Sequence, residues 1–86
     1  MALARLHRFW FSFEGLPPFS VLNVGCGVTA YTYDDALQIL KGRVFKQSLP
    51  ACSVITDIDV STLDENHVRP NMGVVTQRGV WFPLGY

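Results

Sequence analysis

The chain has 86 residues, 49% of them hydrophobic, 13% aromatic and only 16% charged. That length holds one domain, residues 1–86, and the composition is the opposite of a disordered chain's. Seven basic residues balance seven acidic ones with no basic run and no acidic tail; this argues against nucleic acid and against a membrane surface as partners, since both call for an excess of Lys and Arg on one face.

A domain this small buries about 60–65% of its unfolded surface. A chain this apolar has difficulty hiding the rest, so a self-associating surface is expected. No apolar run approaches the length of a membrane span. The lead Met1-Ala2-Leu3-Ala4-Arg5 is too short for a secretory signal, and charge interrupts the apolar residues after it. The expected location is the cytoplasm, with Cys26 and Cys52 as free thiols rather than a disulfide.

Arg5 to Glu14 alternates: His7, Phe9, Phe11 and Phe13 fall on one face, Arg8, Trp10, Ser12 and Glu14 on the other. This period of two, rich in aromatics, predicts a strand. Gly15-Leu16-Pro17-Pro18 breaks it into a loop. Ser20 to Tyr31 predicts a second strand with a kink at Gly25-Cys26-Gly27, where two glycines mark a bulge or a close backbone approach.

Thr32 has the chemistry of a helix N-cap, its hydroxyl placed to accept from the Asp35 amide. Asp34 and Asp35 fall in the first turn, Lys41 and Arg43 near the end, as the helix dipole favours. Tyr33, Ala36, Leu37, Leu40 and Val44 make one helical face, and the helix ends between Lys41 and Phe45.

Gln47 to Ala51 reads as a loop around Pro50, and Ser53 to Val60 as a third alternating strand. Ser61 to Glu65 reads as a helical turn capped by Ser61 or Thr62, and Arg69 to Gly73 as a turn. Val74 to Phe82 ends the chain with strand character, as a hairpin at Gln77-Arg78-Gly79 or as one bulged strand. The order β-β-α-β-short helix-β predicts a two-layer α+β domain: a roughly four-stranded antiparallel or mixed sheet with one main helix.

One helix covers one sheet face. The other face is expected to carry Trp10 and Trp81, and with Phe82 and Tyr86 these form the candidate interaction surface, since Trp and Tyr dominate binding hot spots. The polar segment holding Asn66, His67, Arg69 and Asn71 is the candidate ligand loop. Cys26, flanked by glycines, and His67 are the candidates for a nucleophile and its base.

His7, Cys26, Cys52 and His67 are too scattered for zinc, and Asp57, Asp59, Asp64 and Glu65 lack the spacing of a calcium loop, so no metal and no cofactor is expected. The functional expectation is a small non-catalytic interaction domain that forms a homodimer or joins a larger assembly. The alternative is a small enzyme using Cys26 or His67 in a cleft made by oligomerisation.

Overall fold

Alternation in the first strand sets the architecture. The structure, a computed structural model, describes residues 5–18, 20–46, 49–63, 65–66 and 68–83. Strand β1 (His7–Phe13) sends Phe9 and Phe11 to one face and Trp10 to the other, and all three are buried. β1 lies between β2 (Cys26–Ala30) and β3 (Cys52–Thr56), with β4 (Gly79–Phe82) beyond β2. The order is β3-β1-β2-β4 and every neighbouring pair is antiparallel. The expected α+β domain, a four-stranded sheet with one main helix, is what the chain forms.

The helix α1 (Tyr33–Arg43) starts where its cap predicts: Thr32 is extended and its hydroxyl accepts from the Asp35 amide at 3.0 Å. Ala36, Ile39 and Leu40 are buried against Phe9, Phe11, Cys26, Val28 and Ala30, and Leu22 completes this first core. Ile39 belongs to the packed face although it lies outside the predicted one, while Tyr33, on the predicted face, is partly exposed and stacks its ring on Phe11 at a centroid distance of 6.1 Å. The C-terminal turn closes with the Val44 and Phe45 amides both donating to the Leu40 carbonyl.

β2 is shorter than expected. Its predicted first half is a 3-10 turn, Val21–Asn23, capped by Ser20, and it delivers Leu22 to the first core. The ladder then starts at Cys26, after Gly25 at φ +137°. β3 stops at Thr56 because Asp57 turns the chain in the left-handed region, φ +56°, which Asp tolerates better than most side chains. The next turn is Val60–Thr62, capped by Asp59 rather than by Ser61 or Thr62. At the end of the chain only Gly79–Phe82 forms a strand, so it is neither a hairpin nor a long bulged strand. The pairing of Gly27 with Phe82 and of Val28 with Val80 leaves Trp81 as an extra residue. This bulge lets the consecutive Trp81 and Phe82 join the same core.

β3 and β4 occupy opposite edges, so the connection between them, residues 57–78, must cross the sheet. It crosses on the face away from the helix. Val68 is 1% exposed and packs with Trp10, Trp81 and Phe82, flanked by Ile58, Val60, Leu63, Met72 and Val75. Thr29, buried on this face, donates from its hydroxyl to the Val75 carbonyl at 2.7 Å and fastens the crossing segment to β2. The result is an irregular layer, a sheet and a helix, with one core on each side of the sheet.

Candidate functional site

The aromatic surface expected from the sequence is not free. Trp10 and Trp81 do share the face opposite the helix, but Trp10 is 8%, Trp81 0% and Phe82 1% exposed. The crossing segment covers them within one chain, and the indole rings of Trp10 and Trp81 pack against each other at a centroid distance of 5.8 Å. The physical reason is the strand order: a link from one edge to the other has to pass over this face, and its apolar residues are buried only by staying on it. Tyr86 lies outside the described residues.

The candidate ligand loop is part of that cover. Asn66, Arg69 and Asn71 are exposed, and between them Val68 is driven into the second core. Arg69 and Glu65 form an exposed ion pair at 3.5 Å, and the Asn71 amide donates to the Val68 carbonyl. His67 lies outside the described residues. The loop's backbone thus serves to seat Val68 on the tryptophans.

Cys26 is fully buried in the first core, and burial pushes its thiol up to about 12. A nucleophilic cysteine needs its thiolate near neutral pH, and Cys26 is shifted the other way. Both cysteines are free. β1 separates the strands that carry them, which places them two strand spacings apart, roughly 9–10 Å. That exceeds the reach of a disulfide, about 7 Å between Cα atoms.

Other charged side chains among the described residues are engaged in holding turns and termini together. The Asp35 carboxylate accepts from the Tyr31 amide and from Arg78, tying the start of α1 to the residue before β4. The Arg78 guanidinium, followed by the Tyr31 amide, holds the Asp35 carboxyl at about 2. At the same end of the strands, but on the β3 edge, His7 Nδ1 meets Asp57 Oδ1 at 2.7 Å, fixing the turn that ends β3. The His7–Asp57 pair is exposed, and the described residues form no pocket beside it. Asp59 is engaged as a cap, accepting from the Ser61 amide and hydroxyl, and these bonds lower its pKa.

What the fold leaves open is a sheet edge. The Glu14 amide donates to the Ala51 carbonyl at 2.9 Å, and the antiparallel register carries this phase along β3, so Ser53 and Ile55 turn their backbone groups to β1. The N–H and C=O groups of Cys52, Val54 and Thr56 therefore point outward, and among the described residues no element pairs with them.

The other edge is managed differently. β4 is short and bulged, stands between Arg78 and Pro83, and receives the Gly73 amide on its Trp81 carbonyl at 2.6 Å. β3, with Pro50 and Asp57 near its ends, has no bulge and no backbone bond on its outer side: Cys52-Ser53-Val54-Ile55-Thr56 contains no charge, no Pro and no Gly, and Ile55 is 53% exposed. The sequence does carry a signal for this edge, the uncharged run Gln47 to Thr56, but whether a strand is central or at an edge depends on a strand order that local pattern does not encode. Comparison with protein-family models, with curated proteins and with solved structures gives no match.

Proposed function

We propose that the chain is a small non-catalytic protein-interaction domain that docks an extended strand along the outer edge of β3. The observation that carries this reading is the contrast between the two sheet edges, one blunted by a bulge and a backbone bond from Gly73, the other regular in register and uncharged from Cys52 to Thr56. Main-chain hydrogen bonds supply affinity in such docking, and alternate side chains supply selectivity. Here those side chains are Ser53 and Ile55 on one face, and Cys52, Val54 and Thr56 on the other.

Thr56→Pro is the informative variant. The Thr56 amide points outward, so proline there removes a docking donor without removing a bond to β1. Tagged wild type and Thr56→Pro, matched for folding by circular dichroism, are used as baits in the source cells. Proteins retained by wild type and lost by Thr56→Pro are the expected result. Identical retention by both contradicts docking at this edge.

A further inference from the structure

We infer that the strand received by β3 is β3 of a second copy, paired antiparallel about a two-fold axis through Val54, so that two four-stranded sheets become one. The inference rests on the reading of β3 as a docking edge and names its occupant. The outward groups are symmetric about Val54: pairing Val54 with Val54 of the second copy sets Cys52 opposite Thr56 and Thr56 opposite Cys52. Each outward N–H then meets an outward C=O, the self-complementary arrangement of a two-fold interface.

The side chains accept the same register. Val54 lies on the helix side, where it packs at the margin of the first core, and facing its own copy it continues that margin across the axis. Ile55 on the other face lies opposite Ser53 and diagonal to Ile55 of the second copy, within reach of an isoleucine side chain. No charge falls within Cys52–Thr56, and Asp57, already bonded to His7, falls opposite Ala51. Like charges directly opposite each other are therefore absent from the paired strands. A strand this short buries less than the roughly 1,000 Å² of a stable interface, so the dimer is weak and exchanges rapidly.

The test is sedimentation equilibrium of the purified chain from micromolar to millimolar concentration, beside Thr56→Pro and Ile55→Lys. Ile55 is exposed, so Lys is accommodated in the monomer but brings two charges together across the axis. The expected result is a reversible dimer whose dissociation constant rises about tenfold or more in both variants, with thermal melts near wild type for at least one of them. A monomer through the millimolar range, or a dimer unaffected by both substitutions, overturns the inference. A wild-type monomer that still loses captured partners on Thr56→Pro overturns the second copy alone and leaves docking at the edge standing. A monomer with no such loss overturns both.

Discussion

A Cβ at Gly27 would fall inside the Trp81 indole, and one at Gly25 inside that of Trp10. The close backbone approach expected from Gly25-Cys26-Gly27 is therefore the packing of two tryptophans onto bare backbone. Gly27→Ala forces either the strand or a fully buried ring to move, and overpacking of this kind costs about 1–3 kcal/mol. A denaturation midpoint equal to wild type would mean that the ring does not lie there. The glycines were legible as a pair needing space. Which rings fill that space depends on strand pairing and a bulge, and neither is local.

Asp35 carries a pH signature. Its carboxyl is lowered from an ordinary 3.8 to about 2, first by the Arg78 hydrogen bond and then by the Tyr31 amide. A depressed folded-state pKa gives stability that is full above the unfolded value and lost as pH falls through the folded one. The stability difference between wild type and Arg78→Gln is expected to be constant above pH 4 and to shrink as pH falls toward 2. A difference that is the same at pH 2 and pH 7 contradicts the pairing.

At the scale of elements, α1 and β1 were the most legible because their signals are local: a cap with acidic residues in the first turn, and strict alternation. Packing of the helix is tested from both sides. Leu40 is fully buried, and Leu40→Ala opens a cavity costing about 2–5 kcal/mol. Gly42 lies within the last turn with open space around it, so Gly42→Ala is expected to raise stability by about 0.5–1 kcal/mol. Chemical denaturation measures both, and a neutral Leu40→Ala would remove the helix from the first core.

The segment over the second core was not legible, and its spacing says why. Ile58 and Val60 lie two apart, while Val68, Met72 and Val75 lie four and three apart, so no single period runs through the segment, because it crosses the strands as an irregular chain. The second strand was overread for a related reason. Val21 and Leu22 have strand chemistry, but a tight turn after Ser20 buries Leu22 alone and leaves Val21 exposed.

For the molecule as a whole, one helix leaves an aromatic sheet face needing cover, and this much is legible in the sequence. Without the strand order, cover by another subunit is the expectation; with β3 and β4 at opposite edges, the chain supplies its own. The surface left for a partner then moves from a face to an edge, and from aromatic side chains to backbone groups of Cys52, Val54 and Thr56. Residue-resolved amide hydrogen exchange along β3 at low and high protein concentration tests this most directly. At low concentration the amides of Ser53 and Ile55 are expected to be protected by β1, and those of Cys52, Val54 and Thr56 to exchange freely. At high concentration the outward three are expected to gain protection. Uniform protection of all five amides at every concentration, or outward amides that never gain any, would contradict the open, self-pairing edge.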